Sequence, residues 1–238
     1  MLVSAAALWV LVAWLANRMT SDDEAMLTMG MGGPLFIATW AAMMAAMMLP
    51  SVSPMVDAFV RIQANKRASG SRAVPVTIFV AGYLAVWIAV GVPAYVVARF
   101  LEDAAMDHEA LMDAVARFGG ALIVAAGIYQ LTPLKRVCLH RCRTPMSFIM
   151  TSWRDGRVGA LRMGAVHGGY CLGCCWLLFA LLFPLGLMNV AIMAAVTALV
   201  FAERVLPSGD AVAVVAAVVL LCYGVAVLIQ PDLLPAMM

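Results

Sequence analysis

The stretch His167-Gly168-Gly169-Tyr170-Cys171-Leu172-Gly173-Cys174-Cys175 sets one imidazole and three thiols inside a run that otherwise reads as a membrane-spanning helix. Deprotonated cysteine is a soft ligand suited to copper(I) or zinc, and thioethers shift the preference towards copper(I). On a helix, residues four apart share a face, so His167, Cys171 and Cys175 form a stripe with Cys174 beside it. His167 and Cys175 lie about 12 Å apart along a straight axis, too far for one ion to take all four. Either Gly168, Gly169 and Gly173 allow a bend, or His167 serves a second site or a relay.

Two further groups carry related chemistry. Cys138-Leu139-His140-Arg141-Cys142 lies in what reads as the loop before that span. Its spacing suits a two-thiolate site, without the paired knuckles of a zinc domain. Met43, Met44, Met47 and Met48 form two pairs at four-residue spacing just before Leu49-Pro50-Ser51-Val52-Ser53-Pro54. Counted inward from the ends of their runs, the methionines and Cys171–Cys175 fall at matching depth. The plain readings compete: cysteine acts as a small hydrophobe, methionine fills gaps, and glycine lets membrane helices approach closely. Alone, the methionine block reads as packing. Three cysteines within five residues beside a histidine favour metal handling.

The elements that must position these residues are membrane helices. The chain is 65% hydrophobic and 12% charged, against about 25% charged for a soluble domain, and its mean hydropathy is +0.99. A bilayer crossing needs about 20 apolar residues. Seven runs approach that length, roughly 2–16, 33–59, 74–98, 114–132, 163–183, 185–202 and 211–229, the fifth and sixth divided only by Pro184. The expectation is an all-α, polytopic transmembrane bundle in a single domain over 1–238. It has seven spans, or six if the first lies at the interface. The first sixteen residues lack a basic n-region and read as a retained span.

Basic loops stay cytoplasmic. Arg61, Lys66, Arg67 and Arg72 follow the second run, and Lys135, Arg136, Arg141, Arg143, Arg154 and Arg157 follow the fourth. The alternate loops hold Asp22, Asp23 and Glu24, then Glu102, Asp103, Asp107 and Glu109. The N-terminus is therefore expected inside. Asp57 and Glu203, near the inner ends of their spans, are candidates to attract a cation or close a salt bridge, Glu203 with its neighbour Arg204. The net charge of +2 points to no nucleic acid.

The run Tyr129-Gln130-Leu131-Thr132-Pro133-Leu134-Lys135-Arg136-Val137-Cys138-Leu139, with Cys142-Arg143-Thr144-Pro145, His167–Trp176, Met188-Asn189 and Met43–Ser51, resembles a bacterial family of unknown function. Its members are described as predicted metal-binding integral membrane proteins. The similarity covers about Trp40 to Glu203 and implies no substrate or reaction.

These residues lead to a protein of the bacterial inner (cytoplasmic) membrane that binds or passes a thiophilic ion, copper(I) first and zinc second. Its ligand series runs from Cys138, His140 and Cys142 through His167 to Cys171, Cys174 and Cys175, with methionine help. The expected partners are the lipid bilayer and a membrane-protein or metallochaperone partner. Two other readings stand beside it: a non-catalytic accessory subunit of a membrane complex, and a thiol-disulfide oxidoreductase using Cys171 and Cys174. The second fits poorly, because such chemistry belongs on the oxidising side. No phosphate loop, serine-histidine-carboxylate set or paired catalytic carboxylates stand out, which makes an enzyme the less expected class.

Overall fold

The computed structural model describes residues 2–18, 27–28, 30–70, 72–106 and 110–234, and among these it is all-helical, without strands. Asp22, Asp23, Glu24, Asp107 and Glu109 lie outside the described residues. The helices are α1 (Leu2–Ala16), α2 (Gly33–Ala68), α3 (Val76–Met106), α4 (Ala110–Gln130), α5 (Pro133–Arg143), α6 (Pro145–Ser152), α7 (Gly156–Ala180), α8 (Leu182–Leu185), α9 (Val190–Val205) and α10 (Gly209–Ile229). Four stretches, Gly33–Ala68, Val76–Asp103, Gly156–Leu185 and Gly209–Ile229, are long and apolar enough to cross a membrane. The pair α4 and α5, bent by 64°, makes a fifth if it counts as one span. Helices α1 and α9, of 15 and 16 residues, are shorter.

Two expectations need correction. The Cys138–Cys142 segment is a helix, not a loop. Thr132 accepts a 3.3 Å hydrogen bond from the Lys135 amide and Pro133 opens the first turn, a strong start signal. The division between the fifth and sixth runs falls at Gly186–Asn189 and not at Pro184. Pro184 sits in the short α8, where its missing N–H is an orphan anyway. The chain turns at Gly186, whose φ of 98° suits only a residue without Cβ. Asn189 then caps α9 by accepting from the amides of Ala191 and Ile192, each at 3.1 Å.

Helix α2 continues through Pro50 and Pro54. Pro54 cannot donate to the Pro50 carbonyl, and the Ser53 hydroxyl does so instead at 2.7 Å, the kind of local repair that lets proline persist in apolar helices. The methionine block lies on this helix, with Met43, Met44, Met47 and Met48 all fully buried.

Helices α3 and α7 touch backbone to backbone. A Cβ on Gly82 would sit 2.1 Å from the Leu161 carbonyl oxygen, and one on Gly164 would sit 2.0 Å from that of Phe79. This seam brings Tyr83 of α3 onto Cys171 of α7. Helices α4 and α10 form another extensive pair, while α5 lies along α7 and reaches α9.

Contacts between loops sort the ends of the helices. Lys66, in the last turn of α2, pairs with Asp155, just before α7. Lys66 and the Trp153 indole N–H hold the Asp155 carboxyl below the usual carboxylate range. Arg143 donates to the carbonyls of Leu206 and Pro207 at 2.8 and 3.0 Å, joining the end of α5 to the turn before α10. The basic segments thus share one end. Glu102, at the end of α3, accepts from the Thr28 amide at 2.6 Å, tying α3 to the segment before α2 at the other end.

Candidate metal centre

The three span cysteines are buried to within 1% of full enclosure. The thiols of Cys174 and Cys175 donate to the Cys171 carbonyl, at 3.1 and 2.8 Å, so the sulfurs gather round one turn of α7. Three other helices contribute to this cluster. Cys171 Sγ lies 3.8 Å from Met48 Sδ of α2 and 2.8 Å from the Tyr83 hydroxyl of α3. Cys142 of α5 lies close enough to Cys174 for the two thiols to interact. The inner-mouth pair and the span cysteines, expected as successive stations, therefore meet.

Gly173 makes the approach of α5 feasible, since a Cβ there would fall 2.9 Å from Cys138 Sγ. Tyr129 of α4 donates to the Gly173 carbonyl as well. Gly168 and Gly173 serve close packing, Gly169 has nothing within 4 Å of its Cβ position, and α7 is one continuous helix. His167 consequently remains apart from the sulfurs. It is buried against the rings of Phe79, Tyr83 and Phe148, at 6.2, 5.9 and 5.1 Å between centroids, and its Nδ1 has no hydrogen-bond partner. Tyr83 stands between it and Cys171.

His140 turns away. Two positions along α5 from both Cys138 and Cys142, it points to the opposite face, where it is exposed and lines a surface cavity of about 530 Å³ with Arg136, Arg143 and Asp210. Of the four methionines, Met48 is the one shown in contact with a thiol; Met43, Met44 and Met47 belong to the apolar core. Asp57 is exposed, and Cys222 on α10 is exposed.

The sequence reading missed Arg204. It was expected to pair with Glu203, but that carboxylate is held by Lys135 at 2.8 Å and by the Gln130 amide at 2.9 Å. Arg204 instead directs its guanidinium into the sulfur cluster. Nη2 donates to Cys171 Sγ at 2.8 Å, Cys174 Sγ at 3.1 Å and Cys175 Sγ at 3.6 Å, while Nη1 reaches the Ser51 hydroxyl at 3.3 Å. Consecutive helix residues point about 100° apart, which separates the two neighbours. Among the described residues no three His, Cys, Asp or Glu side chains are placed to hold an ion as they stand. A cation nevertheless occupies the focus of three sulfurs: the guanidinium.

The PpoB2 family, described as a copper chaperone, matches residues 37–227. The chain belongs to this copper chaperone family. The match runs from α2 into α10 and takes in every sulfur of the cluster. No curated protein and no solved structure matches the chain. Membership of a copper chaperone family and the clustered cysteines are together consistent with copper handling.

Proposed function

We propose that this protein spans the bacterial cytoplasmic membrane, N-terminus inside, and binds copper(I) as cargo for delivery to a partner. Its seven crossings are the five long apolar stretches together with α1 and α9. The observation that carries the reading is the convergence of Cys142, Cys171, Cys174, Cys175 and Met48 from α5, α7 and α2 on one buried point. The donor set is sulfur only, thiol and thioether, which is the set that favours copper(I). Zinc takes thiolate and imidazole ligands, whereas the thioether of Met48 beside Cys171 adds a donor that favours copper(I). Copper(I) accepts low coordination and needs only a pair of thiolates with a thioether beside them.

Cys171 and Cys174, nearest the guanidinium, are the proposed primary pair. Met48 adds a neutral thioether and Cys175 and Cys142 serve as exchange partners. Cys142, with Cys138, supplies the link to the surface, because both are only partly buried. His167, with an unsatisfied ring nitrogen, is a separate waypoint.

The test is elemental analysis of the full chain purified without oxygen and supplied with copper(I). The wild type is expected to retain copper, and a variant with Cys171, Cys174 and Cys175 changed to serine to lose it. Equal retention by both, or none by either, would leave an accessory packing role as the better account of the cysteines.

A further inference from the structure

Arg204 is a buried cation, 6% exposed, and among the described residues it has no carboxylate partner. Glu203 cannot turn to it, being fixed by Lys135 and Gln130. A buried charge is tolerated when it is paired. Here three sulfurs, one carbonyl and one hydroxyl are the groups within reach. When the thiols release their protons to bind an ion, Arg204 becomes a fixed positive charge beside that ion.

We propose that Arg204 is a specificity-determining residue that makes the sulfur site select a monovalent over a divalent thiophilic ion. The proposal rests on the copper(I) reading. Binding of a monovalent ion by Cys171 and Cys174 breaks both S–H bonds, forms both metal–sulfur bonds and delivers both protons to water, with no electron transferred. The charges of the thiolates, the ion and the guanidinium then cancel. A divalent ion in the same pair leaves a net positive charge in a buried site, which is costly. The selection belongs to binding by two thiolates, since a third would make the divalent assembly the neutral one; within it the guanidinium repels a doubly charged neighbour twice as strongly as a singly charged one at any separation. Softness alone would not discriminate in this way, because soft ions of either charge favour thiolate.

Silver(I) and cadmium(II), both thiophilic and differing in charge, separate these effects. The full chain, purified without oxygen, is equilibrated with an equimolar mixture and the bound ratio is read by elemental analysis. The wild type should hold chiefly silver. Arg204→Gln should lower the silver-to-cadmium ratio by at least about tenfold, a change of about 1.4 kcal/mol in relative affinity. Arg204→Lys, which keeps the charge, should stay near the wild-type ratio. Should the glutamine variant fail to fold, Arg204→Met fills the same volume without charge and is read in its place.

A folded neutral variant with wild-type silver stoichiometry and an unchanged ratio would overturn the proposal while leaving the sulfur site intact. A lysine variant that loses discrimination as fully as the glutamine variant would also overturn it, since charge would then not be the determinant. Wild-type protein that binds neither ion, with no change on serine substitution of Cys171, Cys174 and Cys175, would remove the underlying reading itself.

Discussion

Replacing Lys135 by methionine should destabilise the protein far more than replacing Lys135 and Glu203 together by apolar residues. The two side chains are 1% and 2% exposed, and the ammonium lies 2.8 and 2.9 Å from the carboxylate oxygens. Lys135→Met leaves the carboxylate buried with only the neutral Gln130 amide as donor. Breaking a buried pair from one side costs about 3–5 kcal/mol, whereas apolar replacement of both partners is commonly neutral or better. For a chain of this size, about 3 kcal/mol corresponds to a drop of roughly 6–12 °C in Tm. The double variant Lys135→Met/Glu203→Leu should recover most of that.

A thermal scan with a thiol-reactive fluorophore suits this chain. Cys171, Cys174 and Cys175 are buried and label on unfolding, while the exposed Cys222 sets the baseline. The double-mutant cycle should give a coupling of about 2–3 kcal/mol. A coupling below about 0.5 kcal/mol, with the single variants near wild type, would refute the claim that this pair is enclosed and fixes α5 against α9.

Two other substitutions test particular contacts. Gly164→Ala should force α3 and α7 apart, because its Cβ would meet the Phe79 carbonyl oxygen at 2.0 Å, and should cost about 1–3 kcal/mol; Gly169→Ala, with nothing within 4 Å, should be neutral or stabilising by up to about 1 kcal/mol in the same thermal scan. Met48→Leu should weaken copper(I) retention on the order of tenfold in competition with a soluble chelator, while Met44→Leu should leave it unchanged, since Met48 is the methionine shown against Cys171.

Much of the architecture was legible because the sequence signal was compositional. The long apolar runs became helices, several of them longer than the runs themselves, α2 continuing to Ala68, α3 to Met106 and α7 starting at Gly156, and the basic segments share one end. The contact between the methionine block and the cysteines was allowed by depth, but only Met48 touches a thiol, because the packing of α2 on α7 selects one face. The missed features depend on direction rather than on composition. His140 sits between two cysteines in sequence, and helical periodicity turns it to the other side of α5. Glu203 and Arg204 are adjacent and therefore diverge. Two adjacent charges closing the apolar run from Val190 were the signal that α9 carries a buried polar face. Lys135 counted as a loop residue until the Thr132-Pro133 start made its segment a helix.

Helix α5 consequently governs the site more than its place in the chain indicates. Lys135 binds it to Glu203 of α9, and Cys142, seven positions or about two helical turns further on, sets it beside Cys174 of α7. The Lys135 contact occupies Glu203, which would otherwise compete for Arg204, and so leaves the guanidinium free to face the sulfurs. Breaking the pair should therefore act twice. It should loosen α5 from α9, and it should release a carboxylate next to the one cation that the thiols need for balance. Lys135→Met should then weaken copper(I) retention as well as stability, and Lys135→Met/Glu203→Leu should restore both. Recovery of stability without recovery of copper retention would show that α5 positions Cys142 through contacts other than this pair.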